Sequence, residues 1–322
     1  MNIKFIGHAG FLLEHGSVKL LCDPWVSESG AFLHSWHQFP PNDFIDKKLL
    51  YQADYLYISH LHLDHFDKDF LRNFPKEVKI IIADYISKTF LNELKELGFT
   101  DITELKDSEQ ISLTDDFKVT IFRDQSLYKI DSLILIEVDG KRILNKNDCH
   151  ISKEDFSKFQ NIDLLFAQFS GAMWYPAAYD YNDTRQKVFS ARIKANLLNN
   201  FVDLANGVQA KHVIHCAGPP CFLEDQFMGL NFQGIFHDQE EVFKTINEKI
   251  LGKLHIALPG DDITLEPFNI INHHPFNFEN KRQFLEDYKN KRNPSIQNFL
   301  NKPQEVDMIK FSVDLYKIFS SK

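Results

Sequence analysis

The sequence predicts an α/β protein in which two β-sheets are each flanked by helices. Two observations support this fold class. A β-rich stretch is followed by a stretch in which strands alternate with helices, and the same succession then occurs a second time along the chain. The chain of 322 residues is 43% hydrophobic and 25% charged, so it can bury a sizeable core. A disordered chain and a small disulfide-stapled protein are therefore excluded.

The first half of the chain opens with short apolar segments that predict antiparallel strands, with Glu14-His15-Gly16 as a turn. From residue 53 strands alternate with helices, and Gly98 marks the end of one helix. Asp139-Gly140 between two apolar runs predicts a hairpin turn. The expected strands are 2–6, 11–14, 18–22, 55–58, 78–82, 118–122, 132–138 and 142–144, and the expected helices start near 67 and 85.

The second half begins with a buried strand at 163–167, an aromatic loop and a long helix over about 184–204. The remaining sheet-building elements are strands at 211–215, 254–258 and 263–265 and a helix over 239–250. We expect the main domain to span residues 1–267. Residues 268–322 are charged and interrupted by prolines, and we expect a helical C-terminal extension packed on that domain.

Charge and cysteine usage exclude some partners and favour one compartment. The chain has 36 Lys and Arg against 45 Asp and Glu, and this net charge of −9 disfavours a nucleic-acid partner. No apolar run reaches the roughly 18 residues of a membrane span, and the apolar N-terminus lacks the cleavage pattern of a signal peptide. Four cysteines without a CxxC pair are typical of reduced thiols and favour a cytoplasmic location.

A cluster of potential metal ligands follows the strand at 55–58. In an extended segment residues two apart point the same way, so His60 and His62 can present two imidazoles to one ion. Asp64 and His65 lie where the chain turns into a helix and can face a second point nearby. Without a cation these four side chains would resist burial, whereas imidazole and carboxylate are ordinary ligands of zinc, iron or manganese. The cluster therefore predicts a metal site.

The sequence from His60 to His65 resembles the signature of the metallo-β-lactamase superfamily. Other segments resemble two of its branches, the metallo-β-lactamase-like portion of CMP-N-acetylneuraminate hydroxylases and the ascorbate-phosphate lactonases. The resemblance covers about residues 1 to 265 and implies an αββα sandwich of two mixed sheets, with one or two metal ions at the edge between the sheets. The segments that carry the branch resemblance are 7–10, 22–25, 35–36, 40–41, 145–149, 169–176 and 217–219.

The same resemblance implies further ligands. Asp148 matches the bridging carboxylate of the superfamily. A third histidine is expected after the strand at 118–122, but the chain has Asp124 there, which is either a replacement ligand or an ordinary turn residue. His215 matches the last expected histidine, although a slip of one residue would present Cys216 instead.

Other side chains are expected around the ions. His8, Asp23 and His37 are candidate partners of the metal-bound imidazoles or pocket groups, and we assign catalytic roles to Asp64 and His8. The long loops 23–41 and 170–181 are expected to wall the substrate pocket, because they are rich in aromatic residues that can stack on a ring. The candidate substrate-binding residues are Trp36, His37, Trp174, Tyr175 and Tyr179.

The favoured function is a hydrolase of an ester, lactone or phosphoester that uses a metal-activated water, with Asp64 orienting the water. Its cofactor would be one or two divalent ions, zinc or iron, with manganese also possible. The alternative is an iron-dependent oxygenase acting on a small sugar or sugar nucleotide. Paired Cys-x-His ligands of a Rieske module do not occur in this sequence, so an oxygenase would need a separate electron-transfer protein. A third alternative is a non-catalytic metal-binding or scaffold protein.

Overall fold

Two mixed β-sheets face each other in the computed structural model, which describes residues 1–126, 129–171, 175–177, 179–232 and 235–301. The strands are β1 (Asn2–Gly7), β2 (Gly10–His15), β3 (Val18–Cys22), β4 (Tyr55–Tyr57), β5 (Lys79–Ala83), β6 (Ile102–Leu105), β7 (Glu109–Thr114), β8 (Phe117–Arg123), β9 (Ser132–Val138), β10 (Lys141–Asn147), β11 (Leu164–Gln168), β12 (His212–Cys216), β13 (Lys253–His255), β14 (Asp262–Leu265) and β15 (Phe268–Ile271). The helices are α1 (Lys47–Leu50), α2 (Lys68–Arg72), α3 (Thr89–Glu96), α4 (Asp183–Gly207), α5 (Gln239–Ile246) and α6 (Lys281–Leu300).

The order of the strands brings several strand ends to one edge. The first sheet has the spatial order β15-β14-β1-β2-β3-β4-β5-β6, and the second has the order β13-β12-β11-β10-β9-β8-β7. Strands β3 to β6 run parallel in the first sheet, and strands β10 to β13 run parallel in the second. The carboxyl ends of parallel strands meet at a common edge, which is where open α/β sheets place their ligands. The loops after β3, β4 and β10 therefore converge.

Apolar side chains from both sheets form the central core. Phe11 of the first sheet stacks on Phe166 of the second, with ring centroids 4.9 Å apart, and both rings are buried. A second core lies between the other face of the second sheet and helices α4 and α5. Helices α2 and α3 contribute buried apolar residues on the side of the first sheet. This αββα arrangement confirms the predicted fold class.

Three strands were not expected from the sequence, namely β6, β7 and β15. Their residues are largely half-buried or exposed, so they lack the clean apolar alternation that marks a strand. Residues 268–271 were assigned to the helical extension, yet they form β15 and pair with β14 at the edge of the first sheet. The domain boundary after residue 267 stays a prediction.

Helix α6 holds the long loop between β3 and α1 in place. Arg292 is 3% exposed, and its guanidinium pairs with the carboxylates of Glu28 and Asp43 in that loop. Phe39 and Tyr288 extend the contact through apolar packing. Among the described residues, no helix is sufficiently long and apolar to span a bilayer.

Candidate metal centre

The His60–His65 segment forms the loop that follows β4. The backbone N–H groups of His65 and Phe66 both donate to the carbonyl oxygen of His62, at 3.0 and 2.7 Å, so the loop folds back as a turn. Asp67 then caps α2, because its carboxylate accepts the N–H of Phe70 at 3.0 Å. The same carboxylate accepts the N–H of Val26 at 2.9 Å. The loop is therefore fixed both to the helix that follows it and to the segment after β3.

His60, His62 and Asp131 form a first group of candidate ligands, with one ligand atom from each within 4.8 Å of the others. Nε2 of His60 lies 2.9 Å from Nδ1 of His62 and 3.6 Å from Oδ1 of Asp131. The two histidines meet as their spacing predicts, whereas Asp131 comes from the residue before β9. Two imidazoles and one carboxylate can hold iron, manganese or zinc.

His8, Asp64 and His65 form a second, fully buried group. Oδ2 of Asp64 lies 3.0 Å from Nε2 of His8 and 4.0 Å from Nε2 of His65. His8 occupies the turn between β1 and β2 with a φ of 49°, a left-handed conformation in which few non-glycine residues are found. The hairpin of β1 and β2 thus places the imidazole of His8 next to the His60–His65 loop.

Asp148 lies between the two groups. It forms a third group with His60 and His65, and its Oδ2 is 3.6 Å from Nε2 of His65. Its other oxygen accepts a hydrogen bond of 3.1 Å from Nε2 of Gln168. Asp148 is therefore near candidate ligands of both groups, and its role as a bridging carboxylate stays a prediction.

Asp23 sets the orientation of two of the imidazoles. Its Oδ2 accepts hydrogen bonds from Nδ1 of His65 at 2.9 Å and from the Ser59 hydroxyl at 2.6 Å. Because that hydroxyl donates to Asp23, it accepts from Nδ1 of His60, which is 2.9 Å away. With a metal ion bound, both histidines would carry their proton on Nδ1 and present the lone pair of Nε2 to the ion.

The ionisable groups of the cluster shift one another's pKa values. Burial, followed by the charge of His65, lowers the pKa of His60. Burial opposes ionisation of Asp64, but His65 and His8 outweigh it and lower the pKa of that carboxyl. Burial, followed by the charges of Asp148 and Asp124, raises the pKa of Asp131 to about 7. A bound cation would offset the repulsion among these carboxylates.

The residues present fit one or two metal ions. Nε2 of His65 and Oδ1 of Asp131 are buried without a hydrogen-bond partner, which is costly unless another group satisfies them. Both atoms belong to the groups described above. The donors that converge are four imidazoles and three carboxylates, from His8, His60, His62, His65, Asp64, Asp131 and Asp148.

Asp124 is a turn residue, which is one of the two roles that the sequence left open for it. Its Oδ1 accepts the N–H groups of Ser126 and His150, both at 3.1 Å, and its Oδ2 accepts the Ser126 hydroxyl. It caps a turn, and within the described part of the chain it belongs to none of the ligand groups. Asp131 lies opposite it across the β8–β9 connection, since the N–H of Asp124 donates to the carbonyl of Asp131 at 2.8 Å. The candidate carboxylate ligand of this hairpin is therefore Asp131, just before β9, and not Asp124, just after β8.

His215 is likewise not brought to the ligand groups of the described residues. Its ring packs edge-on against Phe169, with centroids 5.0 Å apart, and burial lowers its pKa to about 3. Cys216 is also buried, and its thiol is not part of these groups either. His8, which the sequence assigned a catalytic role, is the imidazole that lies beside Asp64 and His65. No sequence signal identified Asp131 or Gln168.

The candidate substrate-binding residues differ in their exposure to solvent: Trp36 and His37 are buried, whereas Tyr179 is exposed. Trp36 packs in a small apolar cluster against Phe32, and His37 is 1% exposed with its ring bonded to the carbonyl of His34. These two residues therefore stabilise the loop, and their burial does not support substrate contact. Tyr175 and Tyr179 form an aromatic cluster at the surface, with centroids 5.0 Å apart. Trp174 lies outside the described residues.

Comparisons with known proteins support the fold described above. The model of the β-lactamase superfamily domain matches residues 2–195, more than half of the chain. A Mycobacterium tuberculosis protein that carries the provisional name Rieske 2Fe-2S iron-sulfur protein is 35% identical over 253 residues, which are 74% of this chain and 49% of that protein. The CMP-N-acetylneuraminic acid hydroxylase of Danio rerio is 26% identical over 236 residues, 70% of this chain and 39% of that protein. The chain thus spans about half the length, or less, of these curated relatives.

Solved structures share the fold at low sequence identity. A possible metal-dependent hydrolase from Veillonella parvula matches with a TM-score of 0.60 and 12% identity, covering 82% of this chain and 99% of that one. CmlA, a diiron β-hydroxylase from Streptomyces venezuelae, matches with a TM-score of 0.53 and 16% identity, covering 84% of this chain and 54% of that one. Fold, motif loop and family match agree: the chain belongs to the metallo-β-lactamase superfamily, which contains metal-dependent hydrolases and some oxygenases.

Proposed function

We propose that the protein is a non-haem iron oxygenase that hydroxylates a small organic molecule at a dinuclear centre. The observation that carries this proposal is the position of Asp131, which gives the first ion two imidazoles and a terminal carboxylate. Two histidines and a carboxylate with open positions are the donor set of non-haem iron oxygenases. The sequence alone favoured a hydrolase, and this donor set shifts the balance to the alternative.

The candidate ligands divide between two ions. His60, His62 and Asp131 would hold the first, and His8, Asp64 and His65 would hold the second, with Asp148 shared between them. Bound iron would supply the redox chemistry that activates dioxygen. In a hydroxylation one oxygen atom enters a C–H bond of the substrate, and the other leaves as water after uptake of electrons and protons.

The protein's own residues keep this centre in place. Asp23 fixes the tautomers of His60 and His65, and Gln168 holds one oxygen of Asp148. Nε2 of His8 lies 3.0 Å from Oδ2 of Asp64, so these two atoms are placed to bind the same ion. The side chains of His8 and Asp64 are each only 5% exposed, so bulk water is largely excluded from this pair.

The electrons would come from outside these 322 residues. Relatives that are 35% identical over three quarters of this chain are longer and have names that refer to a Rieske iron-sulfur protein. The present sequence has no paired Cys-x-His motif. A Rieske-type iron-sulfur module that lies outside these 322 residues is therefore the source that we propose.

A hydrolase of an ester, lactone or phosphoester is the second candidate. It is favoured by the contact between His8 and Asp64, because a carboxylate next to an imidazole can orient and deprotonate a water molecule. In this case the protein would use zinc and would need no electron donor.

Metal analysis of protein purified without oxygen separates the two candidates. For the oxygenase we expect iron to be the principal metal, with a Mössbauer spectrum of the ferrous protein that changes on exposure to oxygen. Zinc as the principal metal, together with cleavage of a generic phosphodiester or lactone, would overturn the oxygenase proposal and support the hydrolase.

A further inference from the structure

A groove of about 370 Å³ opens beside Asp148, between the end of β10, the segment after it and helix α4. Its volume falls within the range of roughly 300–1000 Å³ that is typical of small-molecule sites. Asp148 and Gln168 both line the groove, and Asp148 is also the carboxylate that links the two ligand groups. A molecule in this groove therefore lies directly beside the candidate metal centre.

Lys146 supplies an unpaired positive charge to this groove. It is half-buried, it lies where the pairing of β10 with β11 is irregular between Asn145 and Asn147, and it lines the groove. It makes no ion pair with any described residue. Lys153 at the same groove differs, since its ammonium lies 2.5 Å from Oδ2 of Asp203. An ammonium that makes no ion pair at the wall of a groove is available to a ligand of opposite charge.

The other lining residues suit an organic anion. Phe156 and Phe201 provide an apolar wall, and the exposed imidazole of His150 stands at the rim. The N–H of His150 is bonded to the carboxylate of Asp124 at 3.1 Å, so the position of this rim residue is fixed. The turn at Asp124 thus holds a residue that lines the groove and contributes no candidate ligand to the ligand groups of the described residues. The groove thus combines the ammonium of Lys146, the apolar rings of Phe156 and Phe201 and the side-chain amide of Gln168. Such a combination suits a small molecule that has one anionic end.

We propose that the groove binds an anionic oxygen group of the substrate, a carboxylate or a phosphate, on the ammonium of Lys146. This inference rests on the proposed function, because the bound molecule is the substrate that the metal centre modifies. The anion is held on the α4 side of Asp148, so the uncharged part of the substrate is directed towards the centre.

Titration calorimetry with inorganic phosphate and with benzoate tests the groove in zinc-loaded protein, with the metal content of every sample measured. We expect Lys146→Gln to weaken the tighter of the two probes by about tenfold or more, as removal of a charged hydrogen bond does. Lys146→Arg should keep the affinity within about threefold, because it keeps the charge. Lys118→Gln, an exposed lysine on β8, is the matched control for the lost charge and should bind like the wild type.

The identity of the tighter probe tells whether the group is a phosphate or a carboxylate. Equal affinities of wild type and Lys146→Gln, or no binding of either probe to the wild type, would overturn the groove proposal. Failure of the proposed function has a different sign, since protein purified without oxygen would then contain zinc as its principal metal or take up no metal at the centre. Metal uptake with unchanged probe affinity therefore refutes the groove alone.

Discussion

Nδ1 of His65 donates a hydrogen bond of 2.9 Å to Oδ2 of Asp23, and both side chains are completely buried. The two residues are 42 positions apart in the sequence and come from the ends of neighbouring parallel strands. Through the Ser59 hydroxyl the same carboxylate also controls His60. One buried aspartate therefore determines which nitrogen of two imidazoles faces the ions.

The first prediction concerns this aspartate. Asp23→Asn should lower metal affinity by about 10–100-fold, the usual effect of removing the partner of a metal-bound histidine. The matched control is Asp67→Asn, because Asp67 is also a buried aspartate of this region but holds the backbone of Val26 and Phe70. Competition with a chelator of known affinity measures the change. Equal metal affinities of the two variants would contradict the role given to Asp23.

The second prediction separates Asp131 from Asp124. Asp131→Asn should release about one metal ion per chain, because it removes the carboxylate of the first group. Asp124→Ala should keep the metal and lower the unfolding free energy by about 1–2 kcal/mol, because it removes the cap of a turn. Metal analysis and thermal unfolding check both statements. Loss of metal in Asp124→Ala with full retention in Asp131→Asn would reverse the assignment.

The third prediction compares two histidines. His8→Ala should weaken binding of the second ion, since Nε2 of His8 lies 3.0 Å from Oδ2 of Asp64. His215→Ala should leave the metal content unchanged, because His215 is packed against Phe169. Metal content per chain after gel filtration decides between them. If His215→Ala releases an ion and His8→Ala does not, the ligand set expected from the family resemblance applies instead.

The fourth prediction concerns pH and His37. Burial, opposed by a bond to the carbonyl of His34, lowers the pKa of His37 from 6.5 to about 4, so the folded protein keeps this ring neutral. The unfolded chain takes up the proton first, and stability is therefore lost as the pH falls from 6.5 towards 4. For the metal-free protein, this residue should remove about 2 kcal/mol at about pH 5 relative to about pH 8.

His37→Gln isolates this contribution, because glutamine can still donate to the carbonyl of His34 but does not titrate. Denaturant unfolding at both pH values should show a smaller loss for the variant than for the wild type. The same pH dependence in both proteins would show that His37 is not responsible.

Local sequence patterns predicted most of the fold and the centre of the site. β3 and β9 agree with their expected bounds, and the Asp139-Gly140 hairpin turn was also found, because apolar alternation and turn residues are short-range signals. The motif from His60 to His65 was predictable for the same reason. Asp148 was identified only through the family resemblance.

Long-range pairing explains what the sequence did not predict. Asp131 reaches the first group because the β8–β9 register places it opposite Asp124, and register is not visible in a single sequence. His8 reaches Asp64 because the first hairpin folds over the motif loop from 56 positions away. The edge strands β6, β7 and β15 were missed because they have almost no fully buried residues and so lack a strong apolar signal.

The most direct test of the central claim is a crystal structure of protein loaded with ferrous iron, with anomalous scattering recorded at the iron edge. We expect two iron peaks per chain, one among His60, His62 and Asp131 and one among His8, Asp64 and His65, with Asp148 contacting both. A single peak, no peak, or iron bound at Asp124 or His215 would contradict it.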